Sequence, residues 1–460
     1  MTPRKIGLIS FAVLMVLNSP LTGQETPRMS SVLTKPLALG PISNKKGPNN
    51  DNMRYGVIFP FQIGPKMAAA FVNRGVYTTN WNYDFEDGND LIVFDNVDTI
   101  KPDNAVCINR SGIASDNDFN NQNRYFNRFP VVGGFVPYGA KIDESSSHPH
   151  AGTGFGISQI LTFPLASDGT FSWNSSPICR KIEIFQFSYQ GDNFQIVSTS
   201  LKNESNPLSV PNSPWIILSG GISMAIPDGC DLLFPVWARN ETIECSGISR
   251  WSRINNSWQV VSFIPIAYSE INVHNYFEPS LIREASGALL FTARDDGRQN
   301  PPMGTARAQD INAWRSTNGG MTWAQVLHVD QARSGPMCIG NSLNGIPFIV
   351  GNPIINEEPG SERDLMYLWT FDSRSNLYPL CVRDALVDFG PNPYGAWYVD
   401  HPNSSILRLY DGNLHCYLAY RVRDPHVFGN AGVSNPSPQS GSYLEEVISM
   451  YGEQVSIWKF

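Results

Sequence analysis

The sequence predicts an all-β protein, a six-bladed β-propeller built from four-stranded antiparallel blades. Three observations carry that expectation. Charged residues make up only 16% of the 460 residues, while aromatics reach 12% and the chain holds 38 glycines and 34 prolines. Such a composition supplies turns and a core but not the charged faces of helical bundles or coiled coils. A strand, a tight glycine turn and a second strand then recur through the chain, the pattern of a β-hairpin. Finally, no long apolar segment of helical period competes with this pattern.

Taken in order, residues 1–23 stand apart from the fold. Arg4 and Lys5 precede an apolar run from Ile6 to Leu17, followed by small and polar residues and Pro20. This is the order of a secretory signal peptide, and the run is too short to span a membrane. An uncleaved N-terminal anchor is the other reading of the same pattern. Export is therefore expected, to the medium, the cell surface or a periplasm. Residues 24–50 read as an extended lead-in, and residues 51–460 as a single propeller domain.

Within that domain five segments are alike: ISQILTFPLASDGTF, ISMAIPDGCDLLFPVWA, EPSLIREASGALLFTAR, MCIGNSLNGIPFIVGNP and NSSILRLYDGNLHCYLAYR. Their turn glycines, Gly169, Gly229, Gly287, Gly345 and Gly412, lie 60, 58, 58 and 67 residues apart. A looser sixth copy is read at FEDGNDLIVF, around Gly88. A repeat of this length made of short strands points to a radial β architecture, and six copies to six blades. Two β-sandwich domains are the competing arrangement, which the regular spacing disfavours. One further motif, Ser316 to Trp323 (STNGGMTW), fits the Asp-box pattern S-x-[D/N]-x-G-x-x-W. Asn318 is expected to accept hydrogen bonds from the turn backbone, Gly320 to supply a positive φ, and Trp323 to pack beneath.

Composition also excludes classes of partner. The net charge is −8, with no Lys/Arg-rich run, so nucleic acid is not an expected ligand. No second segment reaches membrane-spanning length, and a monomer is expected. The seven cysteines show no C-x-x-C spacing, so no metal and no cofactor is expected. Cys230 and Cys245 flank a hairpin and form the candidate disulfide, with buried free thiols as the alternative.

At this point the chain resembles the sialidases and their propeller relatives over roughly residues 145–425. The resembling motifs occur in family order: LSGGISMAIPDGCDLLFPVWA, FEPSLIREASGALLFTARDD, SERDLMYLWTFDS and NSSILRLYDGNLHCYLAYR. The resemblance implies an exo-acting glycosidase and a glycan partner carrying sialic acid or another acidic sugar. It also implies a site whose residue types answer one chemical problem. A carboxylate beside the anomeric carbon would repel a carboxylate nucleophile, so a neutral Tyr activated by Glu attacks instead. Three arginines then hold the substrate carboxylate in planar geometry. Carried over, Glu278 matches the activating Glu, Arg294 and Arg363 match clamp arginines, and Arg54 is the candidate for the first clamp position.

The same alignment shows departures. Asn403 stands at the tyrosine position, and Tyr398, five residues earlier, is the substitute nucleophile. In the first blade Asp84, Asp87 and Asp90 compete for the acid/base role. Two loop segments add candidates. His148 and His150 lie two apart on a glycine-rich approach, so both face one side of an extended chain and can hold a sugar. Asp400 and His401 sit at the corresponding entry to the last blade, suited to proton transfer and substrate contact respectively. Three functions stay open: a sialidase-like hydrolase, another carbohydrate-active propeller enzyme (an exo-glycosidase or uronate lyase), and a non-catalytic glycan-binding propeller.

Overall fold

In the computed structural model, residues 37–39, 42–46, 52–75, 86–108, 124–164, 179–191, 193–270, 273–295, 308–333, 335–353, 363–391, 397–423 and 441–447 are described. They form six antiparallel sheets of four or five strands, arranged as a six-bladed propeller. The only α-helix among them is one turn, Ala385–Phe389. None of the described helices is long and apolar enough to cross a membrane. The signal-peptide segment lies outside the described residues.

Each blade runs outward from the axis. In blade 4 the strands are Tyr276–Arg283, Leu289–Asp295, Ala308–Ser316 and Ala324–Arg333. In blade 6, Tyr398–Arg408 is innermost, followed by Leu414–Arg423 and Gly441–Glu446. The fourth strand of blade 6 is Leu37–Leu39, paired through Leu37↔Leu444. Early and late strands therefore share one sheet and close the ring. Strand Ile42–Lys46 likewise edges blade 1. The propeller thus begins inside the segment expected to be a lead-in, because a radial fold needs a strand from one terminus to close on the other.

The turn glycines organise the two ends of the ring. Gly229, Gly287, Gly345 and Gly412 have φ of 61°, 86°, 77° and 81°, and each joins the first and second strands of its blade at one end. Two expected repeats are corrected. In blade 1 the equivalent turn is Pro65-Lys66, between Asn52–Gly64 and Met67–Gly75, while Gly88 lies inside strand Glu86–Phe94. In blade 2 the first and second strands are joined by residues 137–152, and Gly169, outside the described residues, falls between the second and third strands Thr153–Pro164 and Cys179–Gln190. A proline-lysine turn and a long insertion broke the glycine spacing there.

At that same end, the Ser316–Trp323 turn behaves as its residue types dictate. The Asn318 side-chain oxygen accepts from Thr322 N at 3.0 Å, and Ser316 Oγ accepts from Gly320 N at 2.9 Å. Gly320 has φ of 91°, and Trp323 Nε1 donates to Gly320 O at 2.9 Å. Aromatic layers fill the spaces between blades, as where Phe155 stacks on Trp251 at 3.9 Å. The expected Cys230–Cys245 disulfide is not formed, and both thiols are free. Cys230 precedes the start of strand Asp231–Arg239, whereas Cys245 pairs with Ala238 near its far end. That is roughly 25 Å at 3.3 Å per residue, far beyond the ~7 Å limit between bridged Cα atoms.

Candidate active site

The end opposite the glycine turns gathers most of the predicted site residues. Two innermost strands bulge there. The register of blade 4 shifts between Phe277 and Ser280, and that of blade 6 between Asp400 and Asn403. The bulged residues are Glu278, with φ of 48°, and His401, with φ of 52°, each followed by a proline. The other non-glycine residues with positive φ among those described, Asn212, Asn255, Asn256 and Ser375, lie in turns or short loops. A left-handed residue within a strand costs on the order of 1–3 kcal/mol, strain that concentrates at functional sites.

Blade 4 contributes a carboxylate–guanidinium pair. Phe277 is paired with Arg294 across the first two strands, and Arg294 Nη1 donates to Glu278 Oε2 at 2.8 Å. The Arg294 guanidinium also lies 4.5 Å from the Phe277 ring centroid. Arg294 therefore points to Glu278 rather than to the adjacent Asp295.

Blades 5 and 6 build an arginine cluster around Asp400. Arg363 sits just before strand Leu365–Phe371, and its carbonyl accepts from Val399 N at 2.7 Å. In blade 6 the register sets Asp400 opposite Arg421 and Tyr398 opposite Arg423. Arg421 and Arg423 are two apart on one strand, so both face the same side. Arg421 donates to both Asp400 oxygens, at 2.8 and 3.2 Å. Arg423 and Arg363 donate to Oδ2 at 3.0 and 2.8 Å. Asp400 is 0% exposed and Arg421 1%. Burial alone would raise the Asp400 pKa, but Arg421, Arg423 and His401 outweigh it and hold the carboxylate well below its usual range.

That geometry corrects one expected role. Asp400, expected to transfer protons, is buried and bonded on both oxygens, and the contacts it makes are those of an anchor for three guanidiniums. His401 is its sequence neighbour at the bulge. Its Nδ1 lies 3.0 Å from Arg421 Nη2 and 3.1 Å from Asp400 Oδ1. Burial and Arg421 push the His401 pKa below its ordinary value, partly opposed by the charges of Asp400 and Glu278, so the ring is neutral at pH 7. Tyr398 lies under the arginines, with the guanidiniums of Arg423 and Arg363 at 4.9 and 6.0 Å from its ring centroid.

Other candidates fall elsewhere. Asn403 is 1% exposed and donates to Ile222 O at 2.7 Å, so a blade 6 side chain reaches a blade 3 backbone across the axis. It closes the bottom of the funnel. His148 and His150 are at the opposite end of the ring: His148 Nε2 bonds the carbonyl of the turn residue Gly229 at 3.0 Å. His150 packs edge-on against Trp258 at 5.6 Å. They brace blade 2 against blade 3 and contribute nothing to this site. The Arg54 backbone pairs with Gly75 at the end of blade 1 opposite the Pro65-Lys66 turn, the same end as this site, and its side chain lies outside the described residues. Asp84 also lies outside them, as does the side chain of Asp87; Asp90 is fully buried. Arg421 and Arg423 were missed by sequence reasoning, although the alternating Arg-Val-Arg that ends an otherwise apolar strand was the available cue.

No protein-family model matches this chain, and no curated protein matches it. Solved structures share the fold. A Trypanosoma rangeli sialidase in complex with 2,3-difluorosialic acid aligns at a TM-score of 0.51 and 12% identity, covering 91% of this chain and 60% of that one. A mutant of the NanB sialidase from Streptococcus pneumoniae aligns at a TM-score of 0.52 and 8% identity, covering 89% and 70%. The GH93 α-L-arabinofuranosidase of Fusarium graminearum aligns at a TM-score of 0.48 and 10% identity, covering 90% and 98%. The chain thus spans under two thirds of the trypanosomal structure's length. At these identities the likeness defines a class of fold, the sialidase-like six-bladed propeller.

Proposed function

We propose that this protein is an exported glycoside hydrolase that removes a terminal acidic sugar, a sialic acid or a related residue, from a glycan. One observation carries the reading: Glu278, Arg294, Arg363, Tyr398, Asp400, His401, Arg421 and Arg423 converge at one end of the propeller axis. Among these side chains guanidiniums outnumber carboxylates by four to two, a field that attracts and orients an anionic sugar. The strained backbone at Glu278 and His401 supports the same location.

In this reading Arg294 and Arg363 contact the substrate carboxylate. Glu278, held by Arg294, takes the phenolic proton of Tyr398, and the phenolate oxygen bonds to the anomeric carbon as the glycosidic bond breaks. The guanidiniums over the Tyr398 ring favour its anionic form. The departing oxygen takes its proton from solvent water, a second water then releases the sugar from Tyr398, and Asp400 acts as a positioning residue.

A second reading rests on Asp400 itself. An internal carboxylate already holds three arginines, and Asn403 stands at the expected tyrosine position, which favours an exo-glycosidase of a neutral sugar. Hydrolysis of a fluorogenic α-sialoside by the full chain, beside its Arg294→Ala variant, separates the two. Turnover that falls at least ~100-fold in the variant, about 2.7 kcal/mol of transition-state stabilisation, supports the first. Turnover of neutral glycosides alone supports the second. Tight glycan binding without any turnover overturns both and leaves a non-catalytic lectin-like propeller.

A further inference from the structure

A second cluster of reactive side chains lies on the outer part of blade 4, apart from the arginine site. His274 Nδ1 is 2.7 Å from Asp295 Oδ2 and 4.0 Å from Asp310 Oδ2. His328 Nε2 is 3.4 Å from the same Asp310 oxygen. The ligand atoms of His274, Asp295 and Asp310 all lie within 4.8 Å of one another. We infer that His274, Asp295, Asp310 and His328 form a binding site for a divalent transition-metal ion of the zinc class.

The fold itself argues for this. Each strand of blade 4 supplies one ligand: His274 just ahead of the first, Asp295 ending the second, Asp310 in the third and His328 in the fourth. Asp295 and Asp310 sit on adjacent strands, and their carboxylates meet beyond the end of the ladder at Phe291↔Trp314. Like charges opposed across a sheet destabilise it, and a cation between them reverses the sign. A tetrahedral zinc ion with bonds of about 2.0–2.2 Å requires donor atoms roughly 3.3–3.5 Å apart. The 3.4 and 4.0 Å spacings lie near that value, the 2.7 Å His274–Asp295 contact is a hydrogen bond that a bound ion replaces, and His328 closes in from outside the 4.8 Å group.

The surroundings hold the ligands in place. Asp295 is 2% exposed, and its other oxygen accepts from Asn275 N at 3.0 Å, leaving Oδ2 aimed at the cluster. The Gln325 amide is 3.3 Å from His328 Nδ1. Gln325 Nε2 is the atom facing Nδ1, and His328 Nε2 faces Asp310, so metal binding displaces the Nε2 proton. His328 is 51% exposed, which opens a path for the ion. Two imidazoles with two carboxylates select zinc, cobalt or nickel over calcium and magnesium, which prefer all-oxygen shells. The site also touches the proposed active centre: Asp295 follows Arg294, and His274 stacks at 5.2 Å on Tyr276, next to Phe277 under the Arg294 guanidinium. A bound ion therefore fixes the strand ends that place Arg294 and Glu278.

The test uses the full chain, stripped with a chelator and titrated with zinc against a chromophoric competitor, with calcium in parallel. One equivalent of zinc is expected to bind, with Tm rising by about 3 °C at a hundredfold excess over Kd, and calcium without effect. Cobalt should give the visible bands of a tetrahedral N/O site. Asp310→Asn and the surface variant His328→Gln, which keeps the buried ligands, should each weaken zinc at least tenfold. Absence of stoichiometric zinc binding, or equal affinity in wild type and both variants, overturns the inference. So does an equal response to calcium.

Discussion

Replacing Asp400 by Asn removes one negative charge from the centre of three guanidiniums while keeping the side chain's shape. The loss is worked from the contacts: three arginines within 2.8–3.2 Å, Asp400 at 0% exposure, and Arg421 at 1%. Breaking a buried, hydrogen-bonded ion pair costs about 3–5 kcal/mol, because the remaining charges stay buried without compensation. At ~2.1 cal/mol/K per residue over the roughly 320 described residues, that lowers Tm by roughly 4–7 °C. The assay is calorimetric melting of wild type and variant from pH 7 to pH 3, with Asp411→Asn, an exposed carboxylate at 44%, as the control. The folded pKa of Asp400 is depressed, so its stabilisation is complete above the unfolded value near 3.9 and is lost as pH falls through the lower folded value. The wild type should therefore lose part of its advantage over Asp400→Asn only below about pH 4. A Tm decrease under ~1 °C at pH 7, or no narrowing of the gap in acid, refutes the picture of Asp400 as the anchor of the cluster.

Tyr398→Phe should reduce sialoside turnover by at least ~10³-fold with little change in Tm, since only the phenolic oxygen is lost; unchanged kcat would remove Tyr398 from the nucleophile role. Glu278→Gln keeps the strained φ of 48° but removes the charge facing Arg294, so kcat/KM should fall at least ~100-fold while the melting curve stays within about 2 °C. Gly320→Ala places a Cβ on a residue at φ of 91° and 3.4 Å from Leu289, which should cost roughly 1–2 kcal/mol in denaturant unfolding and leave substrate kinetics unchanged.

Much of the architecture was legible in the chain because turn chemistry is local. Glycines at 229, 287, 345 and 412 are demanded by positive φ, and their spacing alone implies repeated blades. Where the turn was made differently, by Pro65-Lys66 or by the insertion at residues 137–152, the placement of those two repeats slipped although the blade number did not. Glu278 and Arg294 were readable as a pair because they lie on neighbouring strands of one hairpin, where register follows from the turn.

The remainder of the site depended on contacts between distant segments. That Asp400 meets Arg363 depends on a blade 5 residue reaching blade 6, and no sequence pattern encodes that distance. The end of the ring at which a loop emerges is equally non-local: His148 and His150 lie in a turn rather than an extended segment, and at the end opposite the site, because their loop joins the first and second strands of blade 2. Asn403 could be read as a lost nucleophile until its bond to Ile222 showed it spanning the axis. The sequence by itself determined the strands, the turns and the blade number, all set by backbone preference and side-chain period. Only the tertiary structure decided which charges meet, because burial and partner geometry fix what each ionisable group can do.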